Sequence, residues 1–472
     1  MFKSNWFILI VFIFSSTINV NAQCLLNFTK EQENWLKNFQ QQMYANPNSI
    51  DLGKNQMLYV PVTFHLVGTS KGLGYFSLQN VLTSLCEVNQ RFAPVGMYFY
   101  LAETIKYVND DELYAGKADA IWVKSYDLKN PLTVNVFYHG QNTEGWCGVY
   151  FGGVDVVFVL HRCQLPGGTT LTHELGHFFS LPHTFRGWEG GMVPGNIEKL
   201  DGTNCTTAGD GFCDTKADYV ATRWNCPYSM ALTDPNGQIF KPDSSLYMNY
   251  ANDNCHSRFS NQQIAAMRAN LNSRSIASTI PPDNPAITLS PPELVSPLNN
   301  DSLINPIGVT LKWRKVSGAY AYHLQVARFG AWDFLNIDQL IVNDTTINID
   351  LFGSWPYAWR VKAISKTNVC GIFSEPNFFT TDENITSINK INQLTDTYLV
   401  FPNPAKENQV IKFLCEQKVK IIIYDLQGKI IENISVKPNS NNELIINNSG
   451  FYTATFIDEN NIILKSIKII VY

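Results

Sequence analysis

Between Ile280 and Pro297 the chain carries six prolines among few periodic residues. A ring that fixes φ and removes a backbone donor at that density leaves no room for a continuous helix or a central strand. The stretch reads as a linker, so the residues on either side of it fold as separate units. A length of 472 residues points the same way, since single cores stop growing well below that size. At the N-terminus Lys3, an apolar run from Trp6 to Phe14 and the small residues ending Val20, Asn21 and Ala22 form the three parts of an export signal cleaved after Ala22. That run is shorter than the roughly 20 residues needed to cross a bilayer, and no later segment qualifies, so no stable membrane span is expected.

All ten cysteines, at 24, 86, 147, 163, 205, 213, 226, 255, 370 and 415, fall after this signal. An even count in an oxidising compartment reads as disulfides, and six of the ten crowd between Cys147 and Cys255, as a loop-rich region needing staples would have them. Cys147 and Cys163 flank one strand and are a candidate pair. With 16% charged residues, a net charge of −5 and no basic arm, nucleic acid is excluded as a partner.

Upstream of the prolines, residues 23–55 are polar and rich in Gln and Asn, with a helix expected around Glu31 to Tyr44; they read as a leader or pro-segment. Met57 to Val67 is β-rich, Leu78 to Phe92 has helical spacing and Met97 to Leu101 is a second strand. Val154 to Leu160 is a continuous apolar run broken by Gly167 and Gly168, after which Thr169 to Ser180 reads as a helix.

That helix carries His173, Glu174 and His177. Two imidazoles four residues apart project from one helical face about 6 Å apart and can share a tetrahedral Zn²⁺. Glu174 then lies beside the open coordination position, where a carboxylate can take the proton of a water that the metal acidifies. His183 follows six residues after His177, and Pro182 forces the chain to turn there, which brings a third ligand back to the metal. The His-Glu-x-x-His pattern, this third His and Met248 in the run Leu246 to Tyr250 resemble the metzincins with their Met-turn. The departure is Ser180, where that motif has Gly; a non-Gly residue there stores ~1–2 kcal/mol of strain or shifts the turn.

Within the metzincins the segments His173 to Phe185, Gly209 to Thr215 and Tyr247 to Ser260 resemble the ulilysin-like pappalysins, peptidase family M43. The resemblance spans roughly Tyr59 to Leu271. It implies that Tyr250 stabilises the oxyanion of the tetrahedral intermediate, that Met248 packs beneath the zinc ligands, and that Cys226 pairs with Cys255. It leaves Cys205 with Cys213 as a candidate partner, and it implies Ca²⁺ near the oxygen-rich loop of Asp201, Asp210 and Asp214. Asp253 at the corresponding place implies a pocket preferring Arg, then Lys, just after the scissile bond. The five other histidines, 65, 139, 161, 256 and 323, show no ligand spacing and read as packing or surface residues. Cys24 in the leader is either a thiolate for the fourth zinc position or half of a disulfide with a partner such as Cys86.

Beyond the linker, Leu311 to Trp313, Tyr322 to Val326, Tyr357 to Ala363 and Phe378 to Thr380 resemble a fibronectin type III module. Phe401 to Pro404, Val419 to Lys429, Gly450 to Tyr452 and Ile467 to Val471 resemble the C-terminal sorting domain of type IX secretion, which implies that machinery as a partner and a bacterial cell surface or exterior as destination. The expected fold is an α+β metzincin domain, a twisted mixed sheet with an active-site helix, followed by two all-β sandwiches. The expected division is 1–22 signal, 23–55 leader, 56–278 zinc-protease domain, 279–297 linker, 298–382 fibronectin-like sandwich, 383–398 linker and 399–472 sorting domain. The expected activity is zinc-dependent hydrolysis of protein or peptide substrates. The alternatives are a non-catalytic adhesin on a metzincin scaffold and, more weakly, a glycan or ester hydrolase. Retention of Glu174 argues against the first and the absence of a Gly-x-Ser-x-Gly elbow against the second.

Overall fold

The computed structural model describes residues 23–49, 56–142, 145–189, 195–228, 232–274, 276–283, 289–332, 335–382 and, with short gaps, most of 398–471. The expected export signal and the linker at 383–397 lie outside the described residues.

The first unit is built on a seven-stranded mixed sheet. Its strands are β1 (Gln23–Asn27), β2 (Leu58–Gly68), β3 (Met97–Leu101), β4 (Lys106–Asn109), β5 (Val134–His139), β6 (Trp146–Phe151) and β7 (Val156–Leu160). The order is β1-β6-β7-β5-β2-β3, with β4 also on β2, and every pairing is parallel except β6 with β7. Strand β2 is buried along nearly its whole length, as a central strand covered on both faces should be. Helix α1 (Lys30–Ala45) opens on a Thr29/Gln32 capping box, and α2 (Leu78–Phe92) is capped by the Ser77 hydroxyl, which accepts from Asn80 N. After α3 (Asp111–Tyr114) and α4 (Ala118–Leu128), α5 (Thr170–Phe178) lies against β6 and β7, and α6 (Asn261–Arg274) closes the unit.

The leader is part of this unit and not a separate segment. Strand β1 adds to the outer edge of β6, pairing Leu25 with Val149 and Asn27 with Phe151. Leu36 and Met43 of α1 join the same core as Val60, Phe92 and Leu175.

After the small hairpin β8 (Leu232–Thr233) and β9 (Ile239–Phe240), the second unit is a two-sheet sandwich. One sheet pairs β10 (Leu294–Ser296), β12 (Val309–Trp313) and β15 (Thr346–Ile349). The other orders β11 (Asp301–Ile304), β17 (Asn377–Thr381), β16 (Pro356–Ile364), β13 (Ala321–Arg328) and β14 (Leu335–Val342). Their alternating inward residues, Leu311, Trp313, Leu324, Val326, Trp359 and Val361 among them, make the core between the sheets. The proline-rich stretch is thus linker only in part, because Leu294–Ser296 is already a sheet strand.

The sandwich is bolted to the first unit. A disulfide joins Cys86 of α2 to Cys370. Asp338 Oδ2 on β14 accepts from Leu78 N at the start of α2, 2.9 Å away, and Tyr98 donates to Thr367 O at 2.8 Å. Ala321, Ile364 and Val369 belong to the first unit's core cluster.

A third unit carries two further sheets, of three and four strands. β18 (Tyr398–Phe401), β19 (Val410–Cys415) and β22 (Asn442–Ile445) form one; β20 (Val419–Asp425), β21 (Ile430–Val436), β23 (Gly450–Ile457) and β24 (Ile463–Val471) form the other. Ile411, Phe413, Ile421, Ile423, Phe456 and Ile469 fill a core of its own. No described helix is long and apolar enough to cross a membrane.

Candidate metal centre

Helix α5 presents His173 and His177 on one face and ends abruptly. Ser180 takes φ +71, Ser180 N bonds His177 O, and Leu181 N reaches back to Gly176 O. This is a left-handed C-cap, a conformation that favours Gly, and Ser180 holds it while its hydroxyl accepts 2.7 Å from Asn270 Nδ2 in the core. The chain then passes Pro182 and returns His183 to the helix.

The three imidazoles are buried and converge. His177 Nε2 stands 3.0 Å from His173 Nε2 and 3.1 Å from His183 Nε2. Each Nδ1 faces an acceptor: Tyr247 O at 2.6 Å for His173, Leu181 O at 2.6 Å for His177 and Glu189 Oε1 at 3.1 Å for His183. Those acceptors place the proton on Nδ1 and aim three Nε2 lone pairs at one point, an arrangement that repels itself unless a cation sits there. Three nitrogens on one tetrahedral zinc stand about 3.3 Å apart, so the set fits that ion closely. Burial pushes the His173 pKa down to about 4 and those of His177 and His183 well below the usual range, which keeps the ligands neutral and ready to bind a metal. Among the described residues this is the only cluster of three or more side chains suited to a metal.

Glu174 is 1% exposed and sits where β6 passes the helix. A Cβ on Gly148 of that strand would fall 2.4 Å from Glu174 Oε1, so Gly148 is what makes room for the carboxylate. Met248 lies under the site in the same manner: a Cβ on Gly176 would meet its Sδ at 2.4 Å. The Tyr250 ring packs with centroids 5.0 Å from His183 and 4.6 Å from Phe185, and it lines the same pocket as His173 and Glu174.

Asp253 also lines this pocket, but it is already engaged. Its Oδ1 accepts from Thr169 Oγ1 at 2.6 Å and pairs with Arg223 Nη2 at 3.0 Å. Burial would raise its carboxyl, yet the Arg223 guanidinium and the Thr169 hydroxyl outweigh burial and hold it below the usual carboxylate range. Arg223, Gly148 and Glu189 come from loops and a strand with no motif of their own, so no sequence signal marks them. His256, expected as a packing or surface residue, lines the pocket with Nδ1 2.8 Å from Thr169 Oγ1.

Disulfides join Cys147 to Cys163, Cys205 to Cys213 and Cys226 to Cys255. Cys86, the candidate partner for Cys24, is engaged by Cys370 instead. The Cys24 side chain lies outside the described residues. Asp201, Asp210 and Asp214 are not gathered on one point: Asp201 accepts from Thr203, Asp210 from Phe212 N and Thr215, and Asp214 from Ser260 and Gln262 N.

Residues 122–272 match the family model described as Pregnancy-associated plasma protein-A, peptidase family M43, and residues 399–472 match that of the secretion system C-terminal sorting domain. An extracellular metalloprotease of Colletotrichum graminicola is 28% identical over 240 residues, covering 46% of this chain and 78% of the other. An extracellular metalloprotease of Podospora anserina is 29% identical over 230 residues, covering 43% and 70%. A solved structure of a Tannerella forsythia promirolysin mutant covers 52% of this chain and 93% of its own at 17% identity and a TM-score of 0.37, too low an overlap to assign anything to single residues.

Proposed function

We propose that this chain, whose residues 122–272 match the pregnancy-associated plasma protein-A family model and whose residues 399–472 match the sorting domain, is an exported metalloendopeptidase that cleaves peptide bonds with zinc on His173, His177 and His183 and Glu174 as general base. When bound, zinc acts as a Lewis acid that brings the pKa of a water toward ~7. Glu174, walled in beside Gly148, accepts the proton of the attacking water and passes it to the leaving amine nitrogen. Tyr250, in the same pocket, donates to the oxygen on which charge develops. Asp253 favours Arg, then Lys, just after the scissile bond, because a guanidinium matches a partly desolvated carboxylate through paired charge-assisted bonds.

The observation that carries this reading is the convergence of three buried Nε2 atoms beside a buried carboxylate that is not one of the ligands. A scaffold of purely structural zinc has no use for that carboxylate. Glu174→Ala is expected to keep one zinc per chain and lose at least about 10²-fold in turnover of a casein or peptide substrate. Loss of zinc with the carboxylate, or turnover within tenfold of the parent, would sink the role.

The geometry carries no Ca²⁺ proposal at Asp201, Asp210 and Asp214, whose carboxylates bond separate donors, and the buried acids around that loop bear on stability instead. Burial holds the carboxyls of Glu198, Asp210 and Asp218 up at about 8, 7 and 6, each raised from an ordinary value near 4. The unfolded chain releases those protons first, so folded stability falls as pH rises from about 4 to 8. The Tm should therefore be higher at pH 5 than at pH 8; equal values at both would show that these three carboxyls are not raised in the folded chain.

A further inference from the structure

Arg223 and Asp253 both line the pocket that holds Glu174, and their side chains meet at 3.0 Å. Their ion pair is not a chance meeting of surface side chains. Trp224 N donates to Tyr250 O at 3.1 Å and Asn252 N donates to Trp224 O at 2.9 Å, so the backbone next to Arg223 is laddered to the segment that carries Asp253. The disulfide Cys226–Cys255 locks the same two segments three and two residues further on. Arg223 Nε donates to Asn252 Oδ1 at 3.0 Å, which aims the far edge of the guanidinium at Asp253. The two side chains remain 35% and 33% exposed, so the pair is reachable from solvent and an incoming group can open it.

The group that suits this carboxylate is therefore a guanidinium, and the protein supplies one itself. We propose that Arg223 is a built-in occupant of the specificity pocket, a residue that competes with the basic side chain of the substrate for Asp253. The proposal rests on the reading of Asp253 as the floor of the pocket for the residue after the scissile bond. Arg223 sets how well that residue binds, not how fast the bond breaks, because its guanidinium is spent on Asn252 and Asp253. An Arg side chain entering the pocket displaces one fork with another, whereas a Lys offers a single point charge for the same displacement. The displacement costs both the same, so Arg223 lowers the affinity for Arg and for Lys by a common factor and leaves their ratio to the direct contact with Asp253. An apolar side chain gains nothing from displacing it.

The test uses peptides that mimic the product beginning at the scissile bond, so it needs no turnover. Binding of the tripeptides Arg-Ala-Ala, Lys-Ala-Ala and Leu-Ala-Ala to the zinc-loaded protein is measured by calorimetry, beside Arg223→Ala and the longer Arg223→Gln. A partly exposed ion pair is worth up to about fivefold in such a competition. Both variants should bind Arg-Ala-Ala and Lys-Ala-Ala up to about fivefold tighter by a similar factor, with Leu-Ala-Ala unchanged. Arg223→Ala combined with Asp253→Ala should lose the gain. No difference from the parent, no binding by either, or an equal gain for Leu-Ala-Ala overturns the proposal. Loss of peptidase activity in every form, with the gain in Arg-Ala-Ala binding intact, would instead remove the catalytic reading and leave this one standing.

Discussion

At the scale of single residues, two glycines decide the site as much as the ligands do. Gly148 leaves the space that Glu174 Oε1 fills, and Gly176 leaves the space for Met248 Sδ. A methyl group at 148 has β6 backbone behind it, so the carboxylate is what moves. A displacement of about 1 Å from the productive position is enough to cost roughly 10²-fold in rate. Gly148→Ala is therefore expected to lower kcat by about that factor with zinc content and KM unchanged. A kcat within threefold of the parent would show that Glu174 has freedom the packing denies it. The convergence of His173, His177 and His183 was legible in sequence because 3.6 residues per turn fixes what faces what over four positions, and because Pro182 can only turn the chain. Ser180 was legible as an exception, and the fold meets it with a left-handed φ and a bond from Asn270. Gly148, Glu189 and Arg223 were not, since each reaches the site only through tertiary contact, at sequence separations of 26, 6 and 30 from Glu174, His183 and Asp253.

Among the elements, β1 carries the clearest consequence. Strand β6 flanks α5 and offers its outer edge, and β1 takes that edge in parallel from Gln23 to Asn27. An extended substrate recruited by strand addition would need the same row of backbone donors and acceptors. Protein lacking Gln23–Asn27, with α1 kept in the core, is thus expected to cleave a peptide substrate faster than the longer form at equal zinc. Equal rates for both forms would mean that substrates bypass the β6 edge. The sequence showed a polar leader with one helix but not its docking, because the five residues of β1 have no core pattern of their own and gain order only from the strand beside them. The alternating strands of the sandwich were readable for the opposite reason, as period-two burial is written into Val309–Trp313 itself.

For the whole molecule, the bond between Cys86 and Cys370 matters most. It spans 284 residues of sequence and ties α2 to the sandwich. The helix it holds also reaches the loop that leads into α5, where Glu87 accepts from Gly167 N and Arg91 donates to Gly168 O. Closing so long a loop is worth about 5.6 kcal/mol in the chain-entropy account. Cys86→Ser with Cys370→Ser should lower the unfolding free energy by about that amount and split one calorimetric transition into two. A single transition at the parent temperature would show that the Asp338 contact and the shared core suffice alone. The pairing itself could not be read from sequence, because nothing in a proline-rich stretch announces that the modules on either side of it touch.

The same covalent tie changes what a cut in the proline-rich stretch would mean. A protease nicking between residues 279 and 293 would leave two polypeptides that still migrate, diffuse and act as one particle. They would part only where the medium is reducing, so the assembly state of the nicked enzyme would report the redox condition of wherever it has been delivered.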